Sequence, residues 1–208
     1  MKKLKFRYFS LIKRGKSCFK QRIKDSCKTY WINPDQIELS IIPDHIRFGS
    51  EMFTHPLDEL GLVIDGDWDR ETIPFKELDV FQAIEDVFIN GQKWENTSFY
   101  IRIAGYFQDG LSRWDCHSLQ EFDQRLVKLE ALFNNIKEHG YLSQKDLYKI
   151  DGPDGKEDEI VVHIGRNGEY IFAEGRHRLS IAKILGVKKV AVKIARQHKK
   201  WIDSKKRI

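Results

Sequence analysis

The chain has 208 residues, enough for one domain of about 150 residues with additions. No run reaches the roughly 20 apolar residues of a membrane-spanning helix, and the basic N-terminus lacks the continuous apolar stretch of a secretory signal. Three cysteines, Cys18, Cys27 and Cys116, are odd in number and lack metal-type spacing, so a reducing, cytoplasmic setting is expected.

Charge is segregated along the chain. Residues 1–28 hold eleven Lys/Arg against Asp25, and from Lys183 onward ten face Asp203; with +5 for the whole chain, residues 29–182 carry −14. An acidic body with basic ends argues against a broad nucleic-acid-binding face on the body itself. In residues 1–24, Leu4, Tyr8, Leu11 and Ile12 form one helical stripe among lysines and arginines. Past Gly15, Phe19 and Ile23 extend the same period as a second helix. Such a basic amphipathic segment can lie on an anionic membrane surface, pack on the acidic body or remain a tail.

Ile37–Ile41 alternates as a strand and Leu62–Ile64 reads as another, feeding Asp65-Gly66-Asp67-Trp68-Asp69. Three carboxylates within five residues offer either Mg²⁺ ligands (Asp65, Asp67) or a general base toward a hydroxyl (Asp67, Asp69). The alternative is a polar turn that caps a helix. Phe75–Asn90 has the 3–4 apolar spacing of a helix, with Pro74 before it and Gly91 after it. Glu77, Asp79, Glu85 and Asp86 form its expected solvated face. Asn96-Thr97 is a candidate cap for a helix with Phe99, Ile103, Tyr106 and Phe107 inward. Leu119–Glu138 is the longest predicted helix, with Phe122, Leu126, Leu129, Phe133 and Ile136 as its stripe. A surface loop is expected over Asp151–Gly155.

The densest pattern lies in Glu159–Ala195. Ile160–Ile164 is a β-branched apolar run, and Asn167-Gly168 suits a type I′ hairpin turn. Glu169–Ala173 is the return strand. Gly175 breaks it, and from Arg176 the period changes to a helical face of Leu179, Ile181, Ala182, Ile184 and Leu185, closed by Gly186. Val190, Val192 and Ile194 alternate as a third strand. His163, inside an apolar strand, reads as structural. Glu174, Gly175, Arg176, His177 and Arg178 fall at the strand end and first helical turn, where free N–H groups and the dipole favour an anion. Two arginines there either bind a phosphate or pair with carboxylates of the acidic body.

These residues resemble the second sequence box of the ParB N-terminal domain and the related sulfiredoxin and free-serine kinase motifs. Gly175 matches their glycine, His177-Arg178 the His-Arg pair of the latter two, and Glu174 the acidic residue of the serine-kinase pattern. Leu132–Gly140 is similar to the first ParB box, a helix ending in glycine before a strand, and the GDWD segment is shared with uncharacterised ParB-like proteins. Arg176 stands where sulfiredoxin has a cysteine and ParB a glutamate, so neither sulfiredoxin chemistry nor partition-type CTP switching is implied.

The resemblance implies an α+β chain with a ParB/sulfiredoxin-like core over 124–197, a small mixed sheet built around the hairpin–helix–strand unit. Around it lie a basic N-terminal helix in 1–28, a strand and helical elaboration over 29–123 and a basic tail over 198–208. It further implies binding of ATP or another NTP with Mg²⁺ through Gly175, Arg176, His177 and Arg178. The activity then expected is phosphotransfer to a small-molecule or glycan hydroxyl, with Glu174, Asp67 or Asp69 as base. The alternatives are a DNA-associated ParB-like binder or nuclease, and a non-catalytic nucleotide-binding protein at the membrane surface. The expected location is cytoplasmic, with peripheral membrane contact through residues 1–24 in the last reading.

Overall fold

The computed structural model describes residues 21–22, 28–43, 59–151 and 159–206. The amphipathic stripe of residues 4–12, the chain from Gly152 to Gly155 and Arg207 lie outside these residues. The fold is α+β, and an eight-stranded mixed sheet organises it.

The first strands are β1 (Gln21–Arg22), β2 (Thr29–Ile32), β3 (Leu39–Ile41), β4 (Leu62–Ile64) and β5 (Thr72–Pro74). Then come helices α1 (Asp79–Phe88), α2 (Ser98–Gln108), α3 (Leu119–His139) and α4 (Gln144–Asp151). The last part of the chain supplies β6 (Ile160–Ile164), β7 (Tyr170–Glu174), α5 (Arg176–Ile184), β8 (Val190–His198) and α6 (Lys199–Lys205). Gln21–Arg22 is a strand antiparallel to β4, which corrects the helix expected through Phe19 and Ile23. The expected strand from Ile37 begins only at Leu39, after a 3-10 turn over Pro34–Gln36. Gly140 ends α3 with φ 81°, yet α4 follows it and not the strand of the resembling box.

β8 is the axis of the sheet. Its first half pairs antiparallel with β2 on one side, its last residues pair parallel with β4 on that same side, and β6 runs parallel to it on the other. β7 folds back on β6, and β3 then β5 continue the sheet. All five residues of β6 are buried, as expected of a strand covered on both faces. Ile160 and Val162 turn toward α5 and the helical core, and the intervening Val161 and His163 therefore point to the opposite face.

On the helical side, α5 packs against β6 below and against α1 and α3 above. The stripe Phe122, Leu126, Leu129, Phe133 and Ile136 is buried along α3, and Ser118 caps that helix through Glu121 N at 3.2 Å. Thr97 caps α2 through Tyr100 N at 3.2 Å. Asp79 is not on a solvated face: Arg102 Nε donates to it at 2.6 Å, tying α1 to α2. Phe75, Phe81, Ile84, Phe99, Phe122 and Leu179 belong to one continuous apolar core. A division at 123/124 falls inside α3, so elaboration and core are one packed unit. The basic tail begins as helix α6, whose Trp201 ring occupies the space a Cβ on Gly168 would need.

Candidate functional site

Two polar clusters occupy opposite ends of β6. At its start, Gly175 joins β7 to α5 with φ 89° and ψ 32°, the left-handed region that favours glycine. A Cβ there would lie 3.0 Å from Ile160 Cα, a backbone atom, so the close crossing of β6 also demands glycine. No side chain caps α5. Its first-turn N–H groups therefore form an uncapped, electropositive end. Glu174 is half-buried, and its Oε1 accepts from Gly175 N at 3.3 Å.

The three residues after Gly175 take different roles. Arg176 is half-buried, and its side chain has no hydrogen bond or ion pair among the described residues. His177 lies edge-on to Trp114, with centroids 4.5 Å apart, and its Nε2 is shielded from solvent without a hydrogen-bond partner. Burial, reinforced by the charges of Arg176 and Arg125, pushes the imidazole down to about 3, so it is neutral at physiological pH. Arg178 points inward: Nη1 donates to Glu159 at 3.2 Å and Nη2 to the Leu142 carbonyl at 2.6 Å, above the Tyr141 ring. Of the two arginines, Arg178 therefore follows the carboxylate-pairing reading, and Arg176 pairs with no carboxylate among the described residues.

Beyond the far end of β6, the turn after β4 folds onto the β6–β7 hairpin. Arg166, in the hairpin turn, donates from its backbone N to Asp69 Oδ2 at 2.8 Å. Its Nε reaches the same oxygen at 2.9 Å, and its Nη2 reaches Asp69 Oδ1 at 2.6 Å, Asp67 Oδ1 at 2.8 Å and the Gly66 carbonyl at 3.0 Å. His198 Nδ1 accepts from Lys200 N at 3.0 Å, so Nε2 carries the proton it donates to the Gly66 carbonyl at 2.9 Å. Trp68 fills the space between His163 and His198, with the Arg196 guanidinium 5.9 Å from its ring. His163 is buried and accepts from Arg196 N at 3.1 Å, a structural role as expected.

The buried polar atoms of this second cluster are partnered. None of its side-chain polar atoms is among the buried unpartnered ones, whereas His177 at the other end is. Asp65 Oδ1 accepts from its neighbouring Gly66 N, and Asp67 faces both Arg166 and Arg70. Among the described residues no group of three or more His, Cys, Asp or Glu converges as metal ligands. Hydrogen bonds from Arg166 hold the Asp69 carboxyl at about 2, and the same arginine lowers Asp67. Carboxylates so stabilised as anions are poor proton acceptors.

The five residues of β6 span about 17 Å at strand rise, so Asp67 and Asp69 are not neighbours of the Gly175 turn. The structure thus does not assemble Glu174, Asp67 and Asp69 into one site. Sequence reasoning passed over Arg166 and His198 as partners of the GDWD segment. It also passed over Trp114 and Arg125 beside His177. Only an unusual Asp-Trp-Asp turn and a hairpin arginine hinted at the first group.

Asp69 has a pH consequence. Its folded pKa lies below the ordinary 3.8, so its contribution to stability is complete above about pH 4 and is lost as the pH falls toward 2. Melting temperatures recorded from pH 5 to pH 2 should fall through that window in the wild type. The Asp69→Asn protein should show a shallower fall, and parallel curves would show that Asp69 is not the group titrating.

Comparisons with protein-family models, with curated proteins and with solved structures return no match.

Proposed function

We propose that this chain is a nucleotide-binding protein with a ParB/sulfiredoxin-like core, holding the phosphates of an NTP on the Gly175–Arg176 turn. The observation carrying this reading is the concentration of unmet polar groups there. The start of α5 is uncapped, Arg176 has no counter-ion among the described residues, and His177 Nε2 is buried without a partner. An anion at a helix N-terminus meets the free N–H groups and the dipole together, and an arginine beside it adds a charge-assisted hydrogen bond. The hairpin–helix–strand unit β6–β7–α5–β8 and the left-handed Gly175 support the resemblance in fold.

In this reading the activity is phosphoryl transfer to a small-molecule or glycan hydroxyl. Glu174 accepts the hydroxyl proton, and the Asp67–Asp69 turn serves the fold. Arg178 supports the site from beneath through Glu159 and Leu142.

The test is a titration of ATP, CTP and GTP into wild type, Arg176→Ala and Lys188→Ala, the last an exposed lysine past the end of α5. Arg176→Ala should weaken binding roughly tenfold, the effect of one charge-assisted hydrogen bond, and Lys188→Ala should not. Equal affinities for the two variants would remove the site from this turn. Glu174→Gln should keep nucleotide affinity and slow phosphate transfer by roughly 10²–10⁴. If its turnover matches the wild type, the reading reduces to binding without catalysis.

A further inference from the structure

The wall facing His177 is the turn between α2 and α3. Arg113 and Cys116 form an isolated antiparallel bridge, with N–H···O distances of 3.0 and 2.8 Å in the two directions. Between them, Trp114 and Asp115 have φ of 56° and 54°, the only positive-φ residues other than glycine among the described residues. Two adjacent side chains in the left-handed region are disfavoured, because each Cβ crowds the following carbonyl oxygen. The turn is held in that state from α3, where Arg125 Nη1 donates to the Trp114 carbonyl at 2.6 Å. Arg125 also lies 5.7 Å from the Trp114 ring centroid and pairs with the exposed Asp115 at 3.8 Å, and its side chain is 41% exposed.

Arg125 thus holds the turn of Trp114, whose ring lies edge-on to His177, and Arg176 precedes His177 in α5. The uncapped helix start, Arg176 without a counter-ion among the described residues and the unpartnered His177 Nε2 adjoin a wall that Arg125 braces. Asp115, Glu121 and Cys116 are the other titratable groups around Arg125. We propose that Arg125 is the second cation of the anion site, taking a phosphate oxygen opposite Arg176, with the Trp114-Asp115 turn as the site's wall. This rests on the Gly175 turn being the anion site. The ligand chemistry is a multiply charged phosphate group, because a single negative charge would leave one guanidinium unmatched.

Pyrophosphate is the probe, titrated by calorimetry into wild type, Arg125→Gln, Arg125→Lys and Arg176→Gln. Lysine comes closest in length to keeping a donor on the Trp114 carbonyl, so the Arg125→Lys protein should melt near the wild type. The affinity of Arg125→Gln should fall about tenfold, as should that of Arg176→Gln, with Arg125→Lys between Arg125→Gln and the wild type. In the wild type, pyrophosphate should shift the His177 imidazole and Trp114 indole resonances, and in Arg125→Gln the Trp114 shift should shrink. If Arg125→Gln binds like wild type while Arg176→Gln does not, the Arg125 assignment is overturned and the Gly175 reading stands. If Arg125→Lys binds as weakly as Arg125→Gln and both melt lower, Arg125 is structural and the assignment again fails. If the wild type binds neither pyrophosphate nor nucleotide, both inferences fail together.

Discussion

Arg166→Ala is expected to lower stability by about 3–5 kcal/mol, the cost of removing one member of a buried ion pair. The Asp69 side chain is 1% exposed, so without the guanidinium its charge has neither water nor a counter-ion. Asp67, at 72% exposure, contributes little to this figure because solvent screens it. Chemical denaturation of wild type, Arg166→Ala and the double variant Arg166→Ala/Asp69→Asn measures the effect. The double variant should recover part of the loss, since the stranded charge is gone. A single-variant loss below about 1 kcal/mol would mean that Asp69 reaches water and that the turn after β4 is not latched to the hairpin.

Arg178→Met should be comparably damaging, by about 3–5 kcal/mol at neutral pH, for the same reason at the other end of the sheet. Glu159 has a side chain 3% exposed, and burial already pushes its carboxyl upward against the opposing pull of Arg178. Removing the arginine lets burial dominate, so the carboxyl rises further. The penalty is largest where the free acid would be ionised and shrinks as the pH falls and Glu159 takes up a proton. Arg178→Met/Glu159→Gln should regain much of the loss. An Arg178→Met protein as stable as wild type, with weaker nucleotide binding, would reverse the assignment and make Arg178 a ligand-binding residue.

Local patterns were legible in the sequence wherever one element's own periodicity decides its structure. The α3 stripe from Phe122 to Ile136 is such a case, as are the β6–Asn167-Gly168–β7 hairpin, the Gly175 break and the start of α5 at Arg176. Thr29–Ile32 and Thr72–Pro74 were not legible, because two- to four-residue strands carry too little alternation and exist through their partners β8 and β3. At the candidate site, the Gly175 turn could be read from the glycine and the change of period. What each arginine does could not. Arg176 and Arg178 differ only by two positions along α5, and the inward turn of Arg178 depends on Glu159 and Leu142, 19 and 36 residues away. The joining of Asp69 to Arg166 crosses 97 residues, and only the shared direction of β4, β6 and β8 explains it. Those three strands deliver their C-terminal ends, and the turns that follow, to one edge of the sheet.

The central place of β8 bears on how the chain acquires its fold. Thr29 pairs with Lys193, Leu62 with Arg196 and Ile160 with Val192, so three strands from distant parts of the chain share one late-made partner. Until Val190–His198 has been synthesised, β2 lacks its partner, β4 has only the two-residue β1, and β6 has only β7. Contacts this far apart carry a large loop-closure entropy and slow the search for the native topology. A chain terminated before Val190 should therefore show no cooperative melt, even though α1, α2, α3 and the β6–β7 hairpin are all present in it. A cooperative transition in that fragment would place the folding nucleus in the helices. In the intact protein, the apolar edge of β6 stays open during synthesis until the last strand covers it, which makes this interval the one most prone to aggregation.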